Sequence, residues 1–83
     1  AQEIAYQEGP SAALRKAKAV VTNPTHLAVV LGYDMEVDAA PYILYLAKDK
    51  MAEQIIKLAH EYNVPVMRNI PLARDLWERG ELY

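Results

Sequence analysis

The sequence predicts an α/β domain, a small sandwich in which a roughly four-stranded central sheet is flanked by helices. Three observations predict it. The short apolar or β-branched runs Ala19–Thr22, Leu27–Tyr33 and Tyr42–Leu46 read as strands, and the second and third lack polar alternation, as strands covered on both faces do. Between Lys48 and Tyr62 apolar residues recur instead at helical spacing. The 83 residues, 53 % hydrophobic and 24 % charged, suffice for one folded domain spanning residues 1–83 and for no second one.

Taken in order, the first 18 residues are the least periodic. Ile4 with Ala5, and Leu14 with Ala17, each mark a short helical face. Gly9-Pro10 breaks the segment, and Ser11 is placed to cap a helix running towards Lys18. Ala19-Val20-Val21-Thr22 is the first strand and Leu27 to Tyr33 the second. Between them, Asn23-Pro24-Thr25-His26 puts Asn at the first and Pro at the second position of a turn, the order that β-turns favour. A polar connection from Asp34 to Pro41 leads to the third strand at Tyr42–Leu46. In the helix from Lys48 to Tyr62, the residues Met51, Ile55, Leu58 and Tyr62 share one face. Asp49 is placed to cap it, Glu53 precedes Lys57 in the favourable i,i+4 order, and Asn63 suits a left-handed stop. Val64-Pro65-Val66-Met67 is a fourth strand, which Pro65 confines to a strand start or a sheet edge. A last helix follows Pro71, with Leu72, Ala73, Leu76 and Trp77 on one face and Gly80 placed to end it.

Composition removes most functional classes. Without cysteine there is no disulfide, no thiolate metal site and no thiol nucleophile. His26 and His60 are too few to build a metal centre around, and Gly9, Gly32 and Gly80 stand alone, so no phosphate loop exists; neither metal nor cofactor is expected. A net charge of −2 without a basic stripe argues against nucleic acid. The apolar run Leu27 to Tyr33 is seven residues against the roughly 20 of a membrane helix. Asp34, Glu36 and Asp38 read as a solvated loop and His60 as a surface residue.

The Asn23–Pro24 bond stands apart, because its residue types bias a reaction. Proline lacks the N–H that would attack an asparagine side chain, so the usual degradation route is closed. The remaining route has the Asn23 amide nitrogen attack the Asn23 main-chain carbonyl, close a succinimide and expel the Pro24 nitrogen. The tertiary amide of proline twists more readily than an ordinary peptide bond. Holding a poor nucleophile at attack distance can be worth roughly 7–11 kcal/mol in intramolecular systems. His26 can exchange the proton, and Thr22 and Thr25 can donate to the oxyanion or fix the turn. Spacing alone leaves two readings open: a self-cleaving loop, or an ordinary turn in a non-catalytic protein-binding module that docks through Asn23–His26 and the Arg74 region.

Asn23-Pro24-Thr25-His26, preceded by Val20-Val21-Thr22 and followed by an apolar strand, resembles the cleavage loop of the FlhB/YscU (SctU) family of flagellar and injectisome type III export switch proteins. A second signature, Val64-Pro65-Val66 followed by Asn69-Ile70-Pro71-Leu72-Ala73-Arg74, is similar to the family's PLAR segment, and Ala39-Ala40-Pro41 fits between the two. The resemblance covers roughly residues 15–79. It implies the cytoplasmic domain of a bacterial inner-membrane protein, joined to the membrane only through a transmembrane part outside this chain. It further implies single-turnover, cofactor-free autoproteolysis at Asn23–Pro24, assisted by Thr25 and His26, with fragments 1–23 and 24–83 remaining associated. The cut would support switching of export substrates in a flagellum or a virulence-associated injectisome. Implied partners are a ruler protein, other export-gate components and exported substrates, with Leu72 and Arg74 as possible contacts. Two departures from the family pattern are visible. The glycine expected soon after Lys48 is missing from Lys48-Asp49-Lys50, and the sequence stops at Tyr83 where relatives commonly continue.

Overall fold

The apolar runs assemble into one sheet. In the computed structural model, which describes residues 9–24, 26–33, 36 and 41–81, the strands are β1 (Ala19–Asn23), β2 (Leu27–Gly32), β3 (Tyr42–Lys48) and β4 (Val66–Arg68), and the helices are α1 (Gly9–Lys16), α2 (Lys50–Glu61) and α3 (Ile70–Glu81). The sheet order is β3-β2-β1-β4. β1 and β2 form an antiparallel hairpin, β2 pairs antiparallel with β3, and β4 joins the other side of β1 in parallel. The α/β expectation is met, with the Asn-Pro turn between the first two strands. Ile4 and Ala5, Thr25, Asp34, Asp38 and Ala39-Ala40 lie outside the described residues.

Two helices and one helix cover opposite faces. On one face, Leu14 of α1 and Ala52, Ile55 and Ala59 of α2 pack with Val20, Ala28, Val30 and Leu44 of the sheet. Strand alternation sends Val21 and Val29 to the other face, where Gly80 of α3 approaches Ile43 and Leu46. The all-apolar β2 is an interior strand, and its Ala28, Val29 and Val30 are fully buried. Burial on both sides is what an unalternating run requires. β1 is interior as well, with Val20, Val21 and Thr22 all buried.

α2 ends as its sequence predicts. Asn63 adopts the left-handed conformation (φ 59°), its N–H donates to the His60 carbonyl, and Val64 N–H donates to that of Ala59 at 2.8 Å. This pair of bonds is the Schellman stop, which satisfies carbonyls that the helix end would leave open. Pro65 precedes β4 at the sheet edge, and its carbonyl accepts from Val20 N–H at 2.9 Å. A proline is tolerated there because it stands just before the first residue of the strand, where the pairing uses its carbonyl as an acceptor.

Four local expectations are corrected. α1 begins at Gly9, so Ser11 lies inside its first turn and does not cap it. Pro10 occupies that turn without cost, since first-turn N–H groups have no helical partner. Asp49 precedes α2 but makes no side-chain cap bond: at φ 54°, ψ −120° its backbone is outside the β region from which a cap side chain reaches back. Gly80 does not end α3, which runs to Glu81; it lies buried where a Cβ would come 2.6 Å from Leu46 Cδ1. β4 spans Val66–Arg68, later than Val64–Met67, because Val64 is taken up in the stop of α2.

Candidate functional site

Asn23 is the last residue of β1 and opposes Leu27 across the hairpin. The chain reverses over Pro24, and His26 N–H donates to the Asn23 carbonyl at 2.9 Å. Asn23 and Pro24 are half-buried and His26 is exposed. The carbonyl that a cyclising Asn23 would attack therefore already carries a backbone donor, of the kind that stabilises a developing oxyanion.

Two anchors hold the turn from outside, and neither is visible in the motif itself. Asp49 N–H donates to the His26 carbonyl at 2.9 Å. To do so it extends the β2–β3 ladder, in which Leu27 opposes Lys48. Asp49 keeps a positive φ of 54°, the region in which a side chain is strained and glycine is not. On the opposite side, Asn69 N–H donates to the Thr22 carbonyl at 3.0 Å. The parallel register pairs Thr22 with Arg68, so Asn69 lies abreast of Asn23.

Asn69 also starts α3. Its Oδ1 accepts from Leu72 N–H at 3.2 Å and its carbonyl accepts from Ala73 N–H at 2.9 Å. An asparagine three residues before Leu72, with proline in the first turn, is the sequence pattern of a helix N-cap, and is the signal that could have pointed to this residue. The fold thus brings the two sequence motifs together at one end of the sheet. Asn23, Pro24 and His26 form the turn, and Asn69 to Leu72 stand beside it. Arg74 is set further along, about 7.5 Å down the helix axis from Asn69 at about 1.5 Å per residue. It is exposed, Leu72 is half-buried and Ala73 is buried. Among the described residues Arg74 has no ion pair, while Arg79 pairs with Asp75 at 3.2 Å.

A sequence profile of the FlhB HrpN YscU SpaS family matches residues 1–83. The chain belongs to this family. It is 42 % identical over 67 residues to the flagellar biosynthetic protein FlhB of Aquifex aeolicus, covering 81 % of this chain and 19 % of that protein. It is 39 % identical over 71 residues to the secretion system apparatus protein SsaU of Salmonella typhimurium, covering 82 % and 20 %. The chain thus spans about a fifth of the length of these curated relatives. Among solved structures, the EscU C-terminal domain carrying an asparagine-to-alanine change superposes with a TM-score of 0.78 at 38 % identity, over 84 % of this chain and 70 % of that one. The same domain has been solved with alanine in place of the proline that immediately follows that asparagine. The cytoplasmic domain of FlhB from Shewanella putrefaciens matches with a TM-score of 0.75 at 32 % identity, over 94 % of this chain and 56 % of that one. The family's members include flagellar biosynthetic and secretion-apparatus proteins, and no helix among the described residues is long and apolar enough to cross a membrane.

Proposed function

We propose that this chain is a self-cleaving switch domain of a type III export apparatus and that it breaks its own Asn23–Pro24 bond. The observation that carries the reading is the tight turn closed by His26 N–H on the Asn23 carbonyl at 2.9 Å, at the end of a buried strand. The carbonyl is polarised and its plane is fixed, which is what an intramolecular attack by a weak nucleophile requires. Asn23 Nδ2 adds to the Asn23 carbonyl carbon and gives up a proton. The tetrahedral centre collapses with rupture of the C–N bond to Pro24, whose nitrogen takes a proton and becomes a new secondary-amine terminus. Fragment 1–23 ends in a succinimide, and hydrolysis adds one water. Pro24 favours departure because its tertiary amide twists readily. In this reading His26 carries the proton, with Thr25 assisting. Support comes also from EscU, whose C-terminal domain was solved with substitutions at a consecutive asparagine and proline; Asn23-Pro24 is the only such pair in this sequence.

In this reading the chain is the cytoplasmic part of an inner-membrane export protein. The cut remodels the turn, the fragments stay associated, and the change supports the switch from early to late export substrates. A ruler protein, export-gate components and exported substrates are the partners, and the exposed Arg74 with Leu72 is a candidate contact. The test is mass spectrometry of the denatured chain. Fragments 1–23 and 24–83 are expected, their masses summing to the intact chain and later gaining one water, while Asn23→Ala remains whole and folded. A wild-type chain still intact after prolonged incubation at neutral pH would leave the turn as a docking surface of a non-catalytic module.

A further inference from the structure

The hydrogen bonds around Asn23 form a clamp with two sides. The peptide plane leaving Asn23 is held by His26 N–H at 2.9 Å, and the plane entering it is held through the Thr22 carbonyl by Asn69 N–H at 3.0 Å. Asn69 is fixed in its turn, because its side-chain Oδ1 accepts from Leu72 N–H and its carbonyl from Ala73 N–H. Resting on the cleavage reading above, we infer that Asn69 is a positioning residue for the Asn23–Pro24 cleavage, and that its cap on α3 holds the backbone N–H that orients the peptide entering Asn23.

The physical case concerns torsions. Attack needs Asn23 Nδ2 about 3–3.5 Å from its own carbonyl carbon, and misplacement by about 1 Å can cost about a hundredfold in rate. That distance depends on Asn23 φ and ψ as much as on its side-chain torsions. Pro24 and the His26 bond restrict ψ, but φ is governed by the plane between Thr22 and Asn23, which Asn69 holds. A cap oxygen is all that the side chain at position 69 contributes, so serine or aspartate should substitute for it.

The test follows the cleavage of newly synthesised chain in cell-free translation by denaturing electrophoresis, well below the melting temperature. Folding of each variant is checked separately by thermal melting in an Asn23→Ala background, where no cut intervenes. Asn69→Ala is expected to cut at least about tenfold more slowly than wild type while still folded. Asn69→Asp and Asn69→Ser keep the cap oxygen and are expected to cut within about threefold of wild type. A folded Asn69→Ala chain that cuts at the wild-type rate overturns the inference, as does an Asn69→Asp or Asn69→Ser chain that folds yet cuts as slowly as Asn69→Ala. If Asn69→Ala fails to fold, Asn69→Asp and Asn69→Ser decide against wild type: cutting within about threefold supports the inference, and a folded variant of either kind that cuts at least about tenfold more slowly overturns it. A wild-type chain that never cuts overturns the cleavage reading, and this inference with it.

Discussion

Asp49 shows how one residue can hold a site it never touches with its side chain. Its N–H donates to the His26 carbonyl where the β2–β3 ladder ends, and from there its backbone turns into α2 at φ 54°, ψ −120°. A non-glycine residue held in such a region costs about 1–3 kcal/mol. Glycine removes that strain and gives back about 0.4–1 kcal/mol through a freer unfolded chain. Asp49→Gly is therefore expected to stabilise the domain by about 1 kcal/mol in urea unfolding of the Asn23→Ala form, with the turn left as it is. A loss of stability would show that the Asp49 carboxylate contributes something beyond its backbone. Asn63 occupies the milder left-handed region at φ 59°, which asparagine visits routinely. There a valine, which has no such tolerance, should cost at least about 1–2 kcal/mol by the same measurement.

At the scale of elements, α3 is seated by absence of a side chain. Gly80 is buried, and a Cβ at that position would stand 2.6 Å from Leu46 Cδ1 and 3.4 Å from Ile43 Cδ1. Gly80→Val should cost about 1–3 kcal/mol, the range for overpacking, read as an earlier urea midpoint with an unchanged slope. Gly80 also marks where sequence reasoning stops. A glycine near the end of an amphipathic pattern signals a stop or a close approach with the same letter, and only the position of β3 decides between them. The same limit applies at Asp49, where residue type suggests a cap and the backbone at the strand-to-helix junction takes a conformation that makes none. What was legible was the part governed by local chemistry: unalternating strands, the period of α2, the Asn63 stop, and the Asn-Pro turn between β1 and β2. Half of the candidate site was legible for that reason, since Asn23, Pro24 and His26 are contiguous. Asn69 is 46 positions beyond Asn23, and only the parallel pairing of β4 with β1 brings it alongside. No local pattern states which strand will lie beside which.

For the whole molecule, the sheet order explains how a chain could be cut and remain one particle. The first fragment would contribute β1, which lies between β2 and β4 and is hydrogen-bonded to both. Val20, Val21 and Thr22 are buried there, and Leu14 of α1 sits in the core with α2. Removing residues 1–23 would strip out an interior strand and a core helix, so the two pieces fold together or not at all. Cutting the turn nevertheless changes the thermodynamics, because unfolding then releases two molecules. A short connection supplies an effective concentration of order millimolar. At about 10 µM protein, losing it costs roughly 3 kcal/mol, two factors of ten at about 1.4 kcal/mol each. The cut domain is expected to elute as a single species under native conditions and to melt below the Asn23→Ala form. Its melting temperature should rise with protein concentration, as coupled folding and association require, whereas that of Asn23→Ala should stay constant. Equal, concentration-independent melting of the two forms would mean that the fragments do not exchange with solution during unfolding, and would contradict the shared-core account of the fold.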